Sequence, residues 1–198
     1  MISKIVFATN NPHKLYEVQT LLGNQFELLS PENIGCHDDI PENQPDLVGN
    51  ALEKARYIFQ KYQLNCFADD TGLEIDALNG RPGVLSARYA GPSKDPILNM
   101  EKILAELSGS THRTARFRTI IALILNGNEY TFEGSVEGTI LETGYGTKGF
   151  GYDPVFKPLG YSVTFAEMDI EEKNKISHRA IAVNKLVHFL KGNINQSY

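Results

Sequence analysis

Hydrophobic residues in the first thirty positions change from strand spacing to helix spacing and back. Ile2–Thr9 is a β-rich apolar run that stops at the turn cluster Asn10-Asn11-Pro12. Apolar residues then recur every three or four positions as far as Gly23, which predicts a helix that ends at this glycine. Phe26–Leu29 predicts a short strand, so the chain opens as β-α-β.

A second helix is predicted after a loop over residues 30–46, which contain three prolines and no clear period. Asp46 is a suitable N-cap, and the apolar positions from Val48 to Tyr62 form a continuous stripe. Asn50 and Lys54 lie one turn apart. We expect them on the opposite, polar side of this helix.

The middle of the chain alternates short extended runs with loops. Asn65–Ala68 predicts a short strand that ends at the turn-like sequence of residues 69–72, and Leu73–Leu78 predicts another extended segment. Residues 79–96 are rich in Gly and Pro and predict a loop, after which Ile97–Leu107 predicts a helix.

The last third begins with two long β-type runs, Thr114–Leu125 and Asn128–Ile140, joined around Asn126-Gly127. Asn-Gly between such runs is the strongest short-range sign of a β-hairpin. A glycine-rich loop follows at 144–151. The final helix is predicted by apolar residues spaced by four, three, four and three positions: Ile176, Ala180, Val183, Val187 and Leu190.

This order of elements predicts an α/β fold with a mixed central β-sheet flanked by helices, and not a regular doubly wound parallel sheet. The long β-hairpin can extend into a lobe of its own and leave a cleft beside the first strand. We therefore expect residues 1–198 to form a single domain with two lobes around a central cleft.

Composition favours a soluble cytoplasmic protein. With 198 residues and 22.0 kDa, the chain can bury about 70% of its unfolded surface, which needs no disulfides. Its two cysteines fit no zinc or C-x-x-C spacing, so we interpret them as free thiols in a reducing compartment. The longest apolar run, Ile120–Leu125, is too short to cross a bilayer.

The formal net charge of −5 argues against a general nucleic-acid binder. The charge is uneven, because residues 27–76 hold 11 acids and 3 bases. Solvated faces are the commonest cause of such asymmetry, so it becomes informative only through particular motifs.

The first such motif contains Thr9, Asn10, Asn11 and Lys14, at the point where the first strand leads into the first helix. The carboxyl ends of strands in α/β sheets are favoured ligand sites, and a helix N-terminus presents free N–H groups to an anion. Lys14 adds a positive charge. The segment is therefore a candidate phosphate site, with an ordinary strand-to-helix turn as the alternative.

A second motif is the pair Asp69 and Asp70, directly after an apolar strand. Neighbouring residues of an extended chain point to opposite sides, so one carboxylate can face a ligand while the other faces the sheet. Mg²⁺ sites commonly use one or two carboxylates together with substrate phosphates. Glu42 is a candidate partner, and a turn built on Asx-type hydrogen bonds is the alternative.

The segment Gly144–Gly149 matches G-x-G-x-x-G, but Pro154 follows within five residues and no helix begins there. We therefore reject a dinucleotide site. The same loop offers Phe150 and Tyr152 as aromatic rings framed by glycines, on which a base can stack.

The last motif precedes the final helix. Ser177 is a candidate N-cap that would place His178 and Arg179 in the first turn, where the helix attracts anions. Arginine suits bidentate recognition of phosphate. A solvated charged face with a capping serine is the alternative.

Taken together, these motifs resemble the inosine triphosphate pyrophosphatase family, also called dITP/XTP pyrophosphatases. The matching segments occur in family order over nearly the whole chain: Thr9–Lys14, Glu42 with Asn50–Ala55, Ala68–Leu73, Pro82–Arg88, Gly149–Pro154 and Ser177–Arg179.

The resemblance implies an elongated fold of that family and a homodimeric, Mg²⁺-dependent enzyme. Such enzymes hydrolyse the non-standard purine nucleotides ITP, dITP and XTP to monophosphate plus pyrophosphate, which cleanses the nucleotide pool. By family position Asp70 is the catalytic acid–base residue at the metal and Glu42 is the second metal carboxylate, with Asp69 as a further candidate. The resemblance also implies the substrate-binding residues: Thr9, Asn10, Asn11, Lys14, Lys54, Thr71, Phe150, Gly151, Tyr152, Asp153, Lys173, His178 and Arg179.

The chemistry of the residues agrees with this resemblance. A triphosphate needs cationic partners, which Lys14, Lys54, Lys173 and Arg179 can provide. A 6-oxo purine accepts hydrogen bonds where adenine donates them, so a pocket of donors would reject adenine.

Two positions depart from the family pattern. Thr71 replaces a common serine but keeps the hydroxyl. Lys148 stands where a second glycine is frequent, and there it either contacts phosphate at the rim or is solvated.

Two other functions fit the sequence less well. One is a related house-cleaning pyrophosphatase for pyrimidine or methylated nucleotides. The other is a non-catalytic nucleotide-binding module, although such a module has no need for acids facing a polyanion. We expect neither a nucleic-acid nor a membrane partner.

Overall fold

The computed structural model describes residues 3–24 and 26–194. Ile2, the first residue of the predicted opening strand, lies outside them. The described strands are β1 (Ser3–Phe7), β2 (Phe26–Leu29), β3 (Cys66–Ile75), β4 (Arg81–Gly83), β5 (Thr114–Leu125), β6 (Asn128–Ile140) and β7 (Phe156–Pro158). The described helices are α1 (Pro12–Leu22), α2 (Leu47–Tyr62), α3 (Pro96–Glu106), α4 (Ile170–Ile176) and α5 (His178–Ile194). Short 3₁₀ turns occur at Glu32–Ile34, Asp76–Leu78 and Ser86–Arg88.

The strands form one mixed sheet in the order β2-β1-β3-β5-β6-β7, with β4 paired to β3. β1 runs parallel to β2, with Ile5 opposite Leu28, and parallel to β3, with Phe7 opposite Phe67. The pairs β3–β4 and β6–β7 are antiparallel. The prediction of a mixed sheet flanked by helices is therefore confirmed.

Side-chain caps explain where three helices begin. Asn11 accepts hydrogen bonds from the backbone N–H groups of His13 and Lys14 at the start of α1. Asp46 accepts one from Gly49 at the start of α2, as predicted, and Asp95 accepts two, from Ile97 and Leu98, at the start of α3. Each cap satisfies N–H groups that have no partner inside the helix.

The long hairpin has the bounds that its sequence predicts, with Asn126 and Gly127 in the left-handed conformation between β5 and β6. β3 differs from its prediction, because it is one ten-residue strand and does not end at Asp69. Pairing of its second half with β4 keeps residues 73–75 extended.

The chain forms two compact units, which we call the first and second units. The first contains residues up to 70, residues 119–134 and residues from 179 onward. Its apolar core is centred on the stacked rings of Phe7 and Phe67, whose centroids are 4.6 Å apart. Since these rings belong to paired strands, the core of this unit lies directly beneath the sheet.

The second unit contains residues 71–118 and 135–178. Its core is a separate cluster, in which the ring centroids of Phe117 and Phe156 are 4.7 Å apart. Among the described helices of the chain, none combines the length and the apolar character that a membrane span requires.

Candidate active site

Asp69 and Asp70 are consecutive residues in the middle of β3, and both are buried, with 1% and 8% of their surface exposed. Because side chains alternate along a strand, the two carboxylates meet different partners. The alternative of a simple Asx turn is therefore wrong: these residues form a strand, and their side chains form ion pairs.

Asp69 joins two cations of the first unit. Its Oδ1 accepts a hydrogen bond from Lys14 Nζ at 2.9 Å, and its Oδ2 accepts one from Arg179 Nε at 3.3 Å. Arg179 also donates to the carboxylate of Glu17 on α1. All of these groups except Lys14 are almost completely buried. A fixed network of two acids and two bases thus connects β3, α1 and α5.

The ionisation of Asp69 follows from this network. Burial acts to raise the pKa of its carboxyl, but the charges of Lys14, Arg179 and Lys54 outweigh burial and hold that pKa below its usual value. Burial in turn lowers the pKa of Lys14, against the attraction of Asp69. Asp69 is consequently a permanent anion that anchors cations.

Asp70 belongs to a different network. Its Oδ2 accepts a hydrogen bond from Asn50 Nδ2 at 3.1 Å, and its Oδ1 accepts one from Lys54 Nζ at 3.3 Å. Lys54 Nζ also lies 2.6 Å from Glu42 Oε1. The expectation that Asn50 and Lys54 face solvent is wrong, since only 1% and 5% of their surface is exposed. α2 directs both side chains at β3.

The environment of Asp70 shifts its pKa in the opposite direction. Burial raises the pKa of its carboxyl, although Lys54 and Lys14 partly offset this effect. For Lys54, burial lowers the pKa, but the charges of Asp70, Glu42 and Asp69 reverse that effect and raise it. Two adjacent aspartates therefore differ in proton affinity, and such a difference is typical of acid–base sites.

The segment from Thr9 to Lys14 leads from β1 into α1, as predicted. The side chain of Asn11 is used as the helix cap, and Thr9 Oγ1 accepts a hydrogen bond from the Asn11 backbone N–H at 3.2 Å. Asn10 is exposed, and Lys14 turns toward Asp69. The side chains of Thr9 and Asn11 are therefore used within the turn itself. Asn10 and the Lys14 ammonium remain the candidate ligand groups of this segment.

The second unit contains another buried ion pair. Lys173 Nζ lies 2.7 Å from Asp153 Oδ2, and this oxygen also accepts a hydrogen bond from the Phe150 backbone N–H at 2.8 Å. The Lys173 ammonium lies 5.2 Å from the ring centroid of Phe150 and 5.5 Å from that of Phe165. The pair therefore fixes a cation beside aromatic rings.

Nearby residues of the second unit are held by packing. His178 stacks on Phe117 with ring centroids 4.7 Å apart. Tyr152 is buried, and its hydroxyl donates to the Ser86 carbonyl at 2.8 Å. Gly151 and Thr71 are half-exposed.

Three further expectations concern Lys148, Ser177 and the G-x-G-x-x-G match. Lys148 is an exposed residue whose Nζ lies 2.5 Å from Asp169 Oδ1, so it forms a surface ion pair. Ser177 separates α4 from α5 and its backbone N–H donates to the Lys173 carbonyl. The G-x-G-x-x-G match leads into turns and then β7, so no helix begins after it, as predicted.

The predicted site residues thus fall into two groups. Those of the first unit are Thr9, Asn10, Asn11, Lys14, Glu42, Lys54, Asp69, Asp70 and Arg179. Those of the second unit are Thr71, Phe150, Gly151, Tyr152, Asp153, Lys173 and His178.

The donor set for a metal ion is small. Within residues 3–24 and 26–194, no group of three or more His, Cys, Asp or Glu side chains is arranged to hold a metal ion. Glu42 and Asp70 are brought together through Lys54. Two carboxylates nevertheless fit Mg²⁺, which commonly takes one or two protein carboxylates plus water and substrate phosphates. Asp69 fits less well because both of its oxygens bind cations.

Two residues of these networks, Glu17 and Asn50, were not predicted as site residues, although Asn50 belongs to one of the matching segments. Glu17 lies three positions after Lys14 and next to Val18, which belongs to the buried side of α1. This spacing could have predicted that Glu17 lies on the inner face of the helix. Asn50 lies within the apolar stripe of α2, between Leu47 and Ala51, which are both buried. A polar residue inside such a stripe indicates a buried hydrogen bond.

Comparison with known proteins places the chain among relatives of similar length. Residues 5–189 match the sequence profile of the Ham1 family. The chain is 52% identical to a dITP/XTP pyrophosphatase of Porphyromonas gingivalis, over 96% of this chain and 98% of the relative. It is 51% identical to one of Flavobacterium johnsoniae, over 94% and 97%. Among solved structures, a HAM1 protein of Coxiella burnetii superposes with a TM-score of 0.88 at 37% identity, covering 96% of this chain and all of that one.

Proposed function

This chain belongs to the Ham1 family, and we propose that it is a nucleoside triphosphate pyrophosphatase. In this proposal it hydrolyses non-standard purine nucleotides, ITP, dITP and XTP, to the monophosphate plus pyrophosphate. Relatives named dITP/XTP pyrophosphatase share about half of its sequence over almost their full length, which supports this activity.

The observation that carries the mechanism is the different pairing of Asp69 and Asp70. Both oxygens of Asp69 bind cations, whereas Asp70 binds Lys54 through one oxygen and the neutral amide of Asn50 through the other, and burial raises the pKa of its carboxyl. Asp70 is therefore the better proton acceptor of the two. Water attacks the α-phosphorus, its proton passes to an Asp70 carboxylate oxygen, and the bond between the α-phosphorus and the bridging oxygen breaks. Pyrophosphate leaves with that oxygen.

Cations of the first unit receive the phosphates in this proposal. Asp69 orients Lys14 and Arg179 through its two oxygens, so these cations are held in place before a nucleotide binds. Phosphoryl transfer depends largely on such positioning and charge stabilisation. Lys54, between Asp70 and Glu42, supplies a further positive charge.

We also propose that Mg²⁺ is the cofactor and that Glu42 and Asp70 hold it. Mg²⁺ bound there would neutralise negative charge on the phosphate oxygens. The hard oxygen donors of the two carboxylates are the chemistry that supports this assignment.

Base selection is assigned to the second unit. Lys173 is buried and held by Asp153, and it donates hydrogen bonds but cannot accept them. A 6-oxo purine offers an acceptor to such a donor, whereas the 6-amino group of adenine is itself a donor and cannot accept from it. Phe150 is half-buried beside this ammonium and gives the base a surface for stacking.

We further propose that the protein is a cytoplasmic homodimer. Two buried cysteines that form no disulfide support a reducing compartment. The homodimer rests on the family resemblance, and sedimentation analysis of the purified protein tests it: a species of about twice 22.0 kDa is expected.

A nucleotide panel tests the proposed activity. With Mg²⁺ present, ITP, dITP and XTP should release pyrophosphate much faster than ATP, and orthophosphate should stay near background. Faster turnover of dTTP or UTP would instead indicate the pyrimidine-directed relative. Tight ITP binding without any product would indicate a non-catalytic binding module.

The variant Asp70→Asn tests the mechanism. Removing the proton acceptor should reduce turnover about 10²- to 10⁴-fold, while thermal unfolding shows a folded protein. Asp39→Asn removes an exposed acid of the neighbouring loop and should retain activity. Full activity in Asp70→Asn would contradict the proposed role.

A further inference from the structure

We propose that Asn50 is a positioning residue that holds the loop carrying Glu42 in register with Asp70. This inference rests on the proposed function, because it assigns a role to a side chain that touches the proposed metal carboxylates without being one of them.

The Asn50 amide bridges two elements. Its Nδ2 donates to Asp70 Oδ2 at 3.1 Å, and its Oδ1 accepts from the backbone N–H of Gln44 at 2.9 Å. These partners fix the orientation of the amide, because a flipped amide would place oxygen against a carboxylate and NH₂ against an N–H group. Asparagine therefore satisfies both contacts where an acid cannot.

Glu53, one turn further along α2, holds the same stretch of loop. Its Oε2 accepts from the Asn43 backbone N–H at 2.7 Å, and its Oε1 accepts from Gln44 Nε2 at 3.1 Å. The backbone N–H groups of the two residues after Glu42 are thus both bound to side chains of α2. The loop cannot move without breaking these bonds.

The contacts close into a ring. Asp70 binds Asn50, Asn50 binds the loop two residues after Glu42, Glu42 binds Lys54, and Lys54 returns to Asp70. Two carboxylates from distant parts of the sequence are therefore held together before any ligand arrives. Partners of this kind typically change metal affinity or activity about 10- to 100-fold when they are removed.

Asn50→Ala and Asn50→Asp test the inference. The first removes both hydrogen bonds, and the second keeps the acceptor for Gln44 but places a negative charge against Asp70. We expect each variant to raise the half-saturating Mg²⁺ concentration for ITP hydrolysis about 10-fold or more, with a smaller change in the KM for ITP. Glu53→Ala should give a smaller shift in the same direction.

Binding of Mn²⁺, measured by the electron paramagnetic resonance signal of the free ion, gives a readout apart from turnover. We expect the wild type to bind Mn²⁺ and both Asn50 variants to bind it about 10-fold or more weakly. Gln60→Ala changes an exposed residue of the same helix and is the matched control, with wild-type values expected in both assays.

Folding and function can be separated in these experiments. A variant that is only destabilised loses active protein but keeps the wild-type Mg²⁺ dependence, and that result would overturn the inference. Failure of the wild type to bind Mn²⁺ would overturn it as well. If the wild type binds Mn²⁺ and Asn50→Ala weakens that binding, but no nucleotide in the panel releases pyrophosphate, the proposed function fails and the positioning role stands.

Discussion

At the scale of single residues, Gly149 and Gly151 are close neighbours with the same backbone requirement and different surroundings. Both have positive φ angles, +73° and +64°, which the backbone of an L-residue with a side chain rarely adopts. A Cβ at Gly149 would lie 2.1 Å from Asp153 Oδ2, whereas at Gly151 it would meet no described atom within 4 Å. Gly149 is therefore required both by its backbone angle and by the buried Asp153–Lys173 pair.

Replacing each glycine with alanine separates these two requirements. Gly151→Ala should lower the free energy of unfolding by about 1–2 kcal/mol, the usual effect of a left-handed alanine. Gly149→Ala should lower it by a clearly larger amount, because Asp153 must move away from Lys173. Urea denaturation of both variants measures the difference. Equal losses would mean that the carboxylate does not restrict this position.

At the scale of elements, α2 carries Asn50 and Lys54, which both contact Asp70, and its first turn is held by Asp46. Asp46→Ala should reduce the free energy of unfolding by about 1 kcal/mol. Asp46→Asn keeps an acceptor oxygen for the Gly49 N–H and should remain close to the wild type. Urea midpoints of the two variants test this, and an equal loss in both would show that charge, and not capping, matters at this position.

Local patterns predicted most of the elements because their causes are local. Helix periodicity with Gly23 marked α1, and Asn-Gly marked the hairpin with the same bounds that the structure has. β3 was cut short in the prediction because Asp-Asp-Thr-Gly has the composition of a turn. The pairing partners that keep it extended, such as β4, come from elsewhere in the chain.

The motifs of the candidate site could be predicted from the sequence. The ion pairs and hydrogen bonds between its side chains could not. Asp70 and Glu42 were candidates from their own motif, and the family resemblance added the catalytic role of Asp70 and the substrate role of Lys54. Arg179 and Glu17, in contrast, form a pair that spans 162 positions of sequence.

Asn50 was assigned to the solvent side because it is polar, although its position between Leu47 and Ala51 lies within the apolar stripe of α2. The pattern does not give its partners, Gln44 and Asp70, which come from other parts of the chain.

At the scale of the whole molecule, three acids of the acidic stretch, residues 27–76, form ion pairs within the candidate site. Glu42, Asp69 and Asp70 belong to it, and they bind Lys54, Lys14 and Arg179. Other acids of the stretch, such as Asp39, are exposed. The uneven charge therefore reflects a small buried set together with an ordinary solvated surface.

The cysteines offer a probe of the intact fold. Burial raises the pKa of Cys66 to about 12, so its thiolate is nearly absent at pH 7 to 9. In a Cys36→Ala background, alkylation of the native protein should be far slower than that of an ordinary cysteine at every pH in this range, because so little of the Cys66 thiol is ionised. An ordinary cysteine with a pKa of about 8.5 is largely ionised by pH 9. Labelling in urea is the control, and a native protein that is alkylated as fast as the unfolded one would contradict the burial of Cys66.

The number of residues in β3 before the two aspartates is also constrained. Asp69 and Asp70 are adjacent, yet one belongs to the network of Lys14 and Arg179 and the other to that of Asn50 and Lys54. Because strand side chains alternate, an insertion or deletion of one residue between Cys66 and Asp69 would exchange the faces on which every later residue of the strand lies. The number of residues in this stretch is therefore fixed more strictly than their identities. A change of two residues would keep each aspartate on its own face of the strand, but it would move each one about 6.6 Å along the strand and away from its partners.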